Sequence, residues 1–133
     1  MGCGAVIVLD THAWLWWAGD HGRLPPRVRR RLAAEEELVI SAISCWEAAM
    51  LIERGRLTLA PDGRSGIRRA TSVPKLRVME VTEGIATDAG LLGAAFHGDP
   101  ADRIIVATAL HLKTSLVTKD ERIRSSRRVD TLW

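Results

Sequence analysis

A chain of 133 residues, 47% of them apolar, can bury one sizeable core, which excludes a disordered chain and points to a single domain over residues 1–133. No apolar run approaches the roughly 18 residues of a membrane span, and Met1 to Leu9 lacks the charged start and long apolar centre of a signal peptide; the expected setting is cytoplasmic, with no membrane partner. The net charge is +3, and every basic residue except Lys75, Lys113 and Lys119 is an arginine, whose planar fork of donors suits phosphates, although a G- and C-rich genome gives the same excess.

Ala5 to Leu9 is a continuous apolar run, the pattern of a strand buried on both faces of a parallel sheet, and Asp10 is its first polar residue. Thr11 to Trp17 turns helical before Gly19-Asp20-His21-Gly22 breaks it. Pro25-Pro26 opens a second helix through Ala34, basic on one side, which Glu35 to Glu37 end. Leu38-Val39-Ile40 is a short strand, and Ser41 or Ser44 starts a helix carrying Trp46, Glu47, Met50 and Leu51. A turn at Pro61-Asp62-Gly63 leads to a basic helix from Ser65 to about Ser72. Val78 to Val81 is a third strand, and Thr82-Glu83-Gly84 opens a helix to Phe96. The spacing predicts a further helix from Asp99 to Lys113, a strand from Ser115 to Thr118 and a last strand near Val129 to Leu132. Strands alternating with helices specify an α/β fold with a parallel sheet covered on both faces. Cys3 and Cys45 have neither disulfide nor zinc spacing and are expected to be reduced.

In such sheets a working site lies beyond the carboxyl ends of the strands, where strand order reverses. Asp10 follows the first strand, Glu47 lies early in the helix after the second, Asp102 stands at a helix start and Asp120 just past a strand. Asp99 before Pro100 reads as an N-cap, which puts Asp102 at the third helical position. Carboxylates brought together at low dielectric either rise in pKa or hold a cation, and oxygen donors without His or Cys suit Mg²⁺ or Mn²⁺. A divalent ion can activate water and neutralise a phosphate, the logic of metal-dependent phosphodiester hydrolysis. Each acid has a plainer role as well: Asp10 as a helix cap, Glu47 in the capping-box spacing Ser44-x-x-Glu47, Asp99 and Asp102 at a helix start, Asp120 in a solvated turn. The tryptophans Trp14, Trp16, Trp17 and Trp46, at helical spacing, read mainly as core or groove lining, with stacking on bases as the alternative. His12, His21, His97 and His111 show no ligand spacing to one another and read as surface or packing residues.

Four stretches, Val8-Leu9-Asp10-Thr11-His12-Ala13-Trp14-Leu15-Trp16-Trp17, Ile43-Ser44-Cys45-Trp46-Glu47-Ala48-Ala49, His97-Gly98-Asp99-Pro100-Ala101-Asp102-Arg103-Ile104-Ile105-Val106-Ala107-Thr108-Ala109 and Leu116-Val117-Thr118-Lys119-Asp120, resemble in order and spacing the acidic blocks of PIN-domain ribonucleases. More narrowly they look like those of the VapC toxins of bacterial toxin–antitoxin pairs. The resemblance implies a three-layer PIN-like fold with a central parallel sheet of about five strands and helices on both faces. It also implies Mg²⁺- or Mn²⁺-dependent endonuclease action on RNA, a cognate antitoxin partner and a homodimer. Carried over by position, Asp10, Glu47, Asp102 and Asp120 are the catalytic and metal-binding acids. Asp99 falls outside the block's register and stands as helix cap and outer acid, while Thr118 matches a hydroxyl residue that orients a ligand or water.

As the resemblance has it, Asp10 and Asp102 hold the metal most directly, Asp120 and Glu47 complete its surroundings, and Arg103 is the cation next to a ligand that reaches the scissile phosphate or pairs with a neighbouring acid. Two rivals remain at this stage. One is a catalytically inactive PIN-fold module that binds RNA or protein. The other is an aspartyl-phosphate phosphatase, which usually has a second Asp two residues after the first, where this chain has His12.

Overall fold

The computed structural model describes residues 6–133. Strands β1 (Val6–Leu9), β2 (Glu37–Ser41), β3 (Leu76–Met79), β4 (Leu116–Val117) and β5 (Thr131–Leu132) form one sheet in the order β3-β2-β1-β4-β5, with every pair parallel. Helices α1 (Thr11–Gly19) and α2 (Pro26–Ala34) link β1 to β2, α3 (Ala42–Glu53) and α4 (Gly63–Thr71) link β2 to β3, α5 (Glu83–Gly90) and α6 (Pro100–Leu112) link β3 to β4, and α7 (Glu121–Ser126) links β4 to β5.

The alternation of side chains along a strand divides the core between the two faces of this sheet. Ile7 and Leu9 of β1, Leu38 and Ile40 of β2 and Val117 of β4 pack with Trp14, Val28, Leu32, Ala48 and Ala70, contributed by α1 to α4. Val8, Val39 and Leu116, one residue out of phase, pack with Ile105, Val106 and Ala109 of α6 and Ile123 of α7. All eight strand residues are fully buried, and each large one contributes roughly 1.5–3 kcal/mol by leaving water. The indole of Trp14 lies inside the first layer and donates from Nε1 to the Ala70 carbonyl at 2.9 Å, so its one polar atom is satisfied. The three layers match the parallel α/β fold expected from the apolar runs.

Three elements depart from expectation; the expected start of the first strand at Ala5 lies outside the described residues, as does Cys3. The third strand begins two residues earlier than its apolar run because it is a sheet edge. Arg77, unreadable as a buried-strand residue, pairs across to Glu37 at 3.2 Å, and Lys75, at φ 70°, caps the carbonyls of Leu32, Ala33 and Glu35 at 3.0, 3.1 and 2.8 Å. The helix expected to reach Phe96 stops at Gly90, and the chain then winds around the Arg103 guanidinium. Helix α7 replaces the solvated turn expected after Lys119; it has a single buried residue, Ile123, too little for an apolar period to register.

No helix among the described residues is long and apolar enough to cross a membrane. With β1 lying between β2 and β4, the chain leaves in opposite directions on either side of β1, and the carboxyl ends of β1 and β4 flank the resulting crevice.

Candidate functional site

Asp10 is the first residue past β1. Its N–H donates to the Val117 carbonyl of β4 at 3.0 Å, and its carboxylate caps α1 by accepting from Ala13 N at 2.9 Å. Burial pushes its pKa up; the Thr118 hydroxyl, the Ala13 N–H and His12 pull the other way, and Asp102 adds to the rise. Thr118 is fully buried and joins two acids, because its Oγ1 also accepts the N–H of Asp120 at 3.0 Å.

Glu47 reaches the same crevice from the second turn of α3. Its helix is capped by Ser41, whose side chain accepts from Ile43 N, so the Ser44-x-x-Glu47 spacing is not a capping box. Ser44 instead lies buried 2.9 Å from the Thr11 hydroxyl, which hydrogen-bonds to Glu47 Oε1. Burial raises the Glu47 pKa to about 7; the Thr11 bond lowers it, and Asp102, Asp99 and Asp10 raise it further.

Asp99 caps α6, accepting from Ala101 N and Asp102 N at 3.0 and 3.3 Å. This sets Asp102 one turn in, where its Oδ2 lies 2.8 Å from His97 Nε2. The two side chains are 15% and 16% exposed, and burial again lifts the Asp102 pKa, with His97 opposing and Asp99 and Asp120 assisting. Asp120 caps α7 through Arg122 N at 2.8 Å. Burial works to raise its pKa, but the hydrogen bonds from the Arg122 side chain and backbone prevail and it ends below the usual carboxylate range. The Arg122 guanidinium bridges the pair, with Nη2 3.2 Å from Asp120 Oδ2 and 3.6 Å from Asp102 Oδ2.

Asp10, Glu47, Asp99, Asp102 and Asp120 thus share one cavity of about 520 Å³, whose walls also include Thr11, His12, Trp16, Arg23, Lys119 and Arg122. Three helix N-termini, those of α1, α6 and α7, open onto it with Asp caps, and their partial positive charge offsets part of the repulsion among the carboxylates. At its edge, donor atoms of His97, Asp102 and Asp120 lie within 4.8 Å of one another, a spacing that could hold a metal ion, and Asp102 and Asp120 also line the cavity.

Two expectations change. Arg103 does not face the cavity or pair with an acid: its guanidinium donates to the carbonyls of His97, Ala89, Gly93 and Phe96 at 2.8–3.1 Å. The guanidinium's donors satisfy one carbonyl in the last turn of α5 and three in the loop before α6. His97 is not a bystander, since this clamp, together with its stacking on Phe96 at 4.5 Å between ring centroids, delivers it to Asp102. Comparing histidines only with one another hid it; the informative spacing is His97 to Asp102. Thr11 and Ser44 were missed too, because their side chains meet across elements, and so was Arg122, which bonds locally to Asp120 but reaches Asp102 only through the fold.

The PIN domain family model matches residues 7–129 of the chain. Ribonuclease VapC22 of Mycobacterium tuberculosis (strain ATCC 25618 / H37Rv) is 37% identical over 129 residues, covering 96% of this chain and 98% of that protein. Among solved structures, VapBC-1 from nontypeable Haemophilus influenzae superposes with a TM-score of 0.70 at 17% identity, covering 96% of both chains. VapBC2 from Rickettsia felis, bound to a DNA fragment from their promoter, gives 0.69 at 14% identity over 96% of this chain and 98% of that one. At these identities the two structures speak for the fold, and the sequence matches speak for descent: the chain belongs to the PIN-domain family.

Proposed function

We propose that this chain is a metal-dependent endoribonuclease, the toxin of a toxin–antitoxin pair, which hydrolyses RNA at the acid cavity. One observation carries the reading: Asp10, Glu47, Asp102 and Asp120, drawn from four elements far apart in sequence, line a single cavity at the point where strand order reverses. The 37% identity to a protein named as a ribonuclease supports the activity, and the likeness to VapBC complexes supports a cognate antitoxin partner. The inactive-module alternative has less in its favour, because a binding surface for RNA has no use for five carboxylates at its centre.

The donor set fits Mg²⁺ or Mn²⁺. Carboxylate oxygens dominate it, the imidazole nearest Asp102 and Asp120, His97, is already engaged by Asp102, and burial raises the pKa of Asp10, Glu47 and Asp102, so a cation among them would be favoured. Asp10, Asp102 and Asp120 would hold the ion, with Glu47 beside them and Asp99 farther out. When bound, the ion supplies an acidified water and a counter-charge for the phosphate. Thr118 keeps Asp10 and Asp120 in register, and His97 fixes the rotamer of Asp102. Glu47, held through Oε1 by Thr11, aligns the attacking water with its other oxygen and accepts its proton there. The water oxygen bonds to phosphorus as the bond to the ribose 3′ oxygen breaks, and that oxygen takes a proton from solvent water, leaving a 5′ phosphate and a 3′ hydroxyl.

The test is cleavage of total RNA with Mg²⁺ or Mn²⁺ present. Asp10→Asn and Asp102→Ala are expected to abolish cleavage while keeping the wild-type circular dichroism. Cleavage that survives both substitutions and chelation of divalent ions would overturn the proposal.

A further inference from the structure

One wall of the acid cavity is chemically unlike the rest. Trp16 lines it, half-buried, with the Arg23 guanidinium 4.7 Å from its ring centroid and the Lys119 ammonium 5.8 Å from it. Trp133 and His12 meet the same indole at 5.7 and 5.9 Å in tilted contacts. Of the tryptophans weighed from sequence, Trp14 is sealed in the core and Trp17 stacks on His21, whereas Trp16 shares a cavity with the acids.

From this we infer that Trp16 and Arg23 form a stacking platform for one base of the RNA next to the cleaved phosphodiester, with Lys119 and Arg23 meeting the flanking phosphates. The inference rests on the nuclease reading and adds to it a subsite that positions the strand. Its physical basis is charge. Five carboxylates repel a polyanion, so the strand must be held by groups beside the acids rather than by the acids themselves. An indole can stack with a base regardless of its identity, and the two cations beside this one, Arg23 and Lys119, line the same cavity as the acids. Structure alone would explain Trp16 by its packing on Trp133, but that packing calls for no cation beside the ring and no place in the cavity wall.

The experiment uses the full chain carrying Asp10→Asn, so that RNA binds without being cut, and fluorescence anisotropy with a labelled single-stranded RNA oligonucleotide. Trp16→Ala is expected to weaken binding about tenfold, Trp16→Leu nearly as much, and Trp16→Phe no more than about threefold, on the scale of one lost base stack. Leucine keeps apolar contact with Trp133, so affinity that follows apolar bulk instead of aromaticity overturns the platform and leaves the wall as a docking face for a protein segment. A second measurement needs no substitution at Trp16: oligonucleotides carrying one abasic site, moved along the strand, should lose affinity at one or two positions only. Uniform losses, or none, also overturn it. The nuclease reading fails separately, through cleavage that persists in Asp10→Asn; Trp16 variants that bind normally while Asp10→Asn is dead refute the platform alone.

Discussion

The acid cavity has two sides that manage charge differently. Asp102 and Asp120 lie against an imidazole and a guanidinium, His97 at 2.8 Å and Arg122 at 3.2 and 3.6 Å. Asp10 and Glu47 lie against hydroxyls and a backbone amide, from Thr118, Thr11 and Ala13. Hydroxyls orient a carboxylate but do not neutralise it, so desolvation prevails on this side and both pKa values rise. On the other side the outcome divides: Asp102, the more deeply buried, still rises despite His97, while Asp120, exposed enough to keep Arg122, falls below the usual range. The difference teaches where an incoming cation contributes most: at Asp10 and Glu47 it adds a counter-charge, while at Asp120 it must displace one.

The largest effect expected from this comparison is Asp10→Asn, which should lower the cleavage rate by about a thousandfold, the several kcal/mol that a lost metal ligand represents. A single-turnover assay at saturating Mn²⁺ checks it. A smaller loss than that for Asp120→Asn would reverse the assignment of the uncompensated side.

Next comes Arg103→Leu. Of its four carbonyl partners only Gly93 keeps another donor, the Phe96 N–H at 3.3 Å, and urea unfolding should show a loss of about 2–3 kcal/mol. Unchanged stability would mean that the loop before α6 is held by Leu92 and Phe96 alone.

His97→Ala should weaken divalent-ion affinity by about tenfold with little change in stability, as expected when the partner that orients a ligand is removed. Isothermal titration with Mn²⁺ reads it directly, and His97→Gln should recover part of the loss. An equal loss of affinity from Thr11→Ala would erase the distinction between the two sides.

The smallest effect is thermodynamic. Glu47 has a folded pKa of about 7 against an ordinary 4.5, so between these values the folded chain holds the extra proton. Stability without metal is therefore full below about pH 4.5 and declines as pH rises through 7. Asp10 and Asp102 are shifted the same way and add to the decline, whereas Asp120, shifted down, contributes only a loss at acid pH. Glu47→Gln should flatten the curve and stabilise the metal-free protein at pH 8 by about 1 kcal/mol, solvent screening having reduced the effect at this half-exposed group. Urea midpoints from pH 4 to 9 measure it.

How much of this was legible in the chain varies with what each residue contacts. β1, β2 and β4 were readable because both faces of each are buried, so Ile7-Val8-Leu9, Leu38-Val39-Ile40 and Leu116-Val117 run unbroken. Asp99 was readable because capping is local: acceptor and donors are three residues apart or fewer. β3 misled because an edge strand admits Arg77, and α7 because one buried Ile123 makes no pattern. The same limit governed the site. Acids follow strands and mark themselves, but the role of Arg103 depends on carbonyls presented by an irregular loop, and that of Arg122 on two acids brought together by folding. Pattern reports periodic burial; it does not report partners that meet only in the tertiary structure.

The claim beneath all of this is that the acids of the cavity coexist because a divalent cation joins them. The most direct measurement is the thermal midpoint of the chain at pH 8 as Mn²⁺ is raised, in wild type and in Asp10→Asn. A midpoint that climbs steadily in wild type, and far less in Asp10→Asn, is the result predicted. A wild-type midpoint indifferent to Mn²⁺ would contradict it.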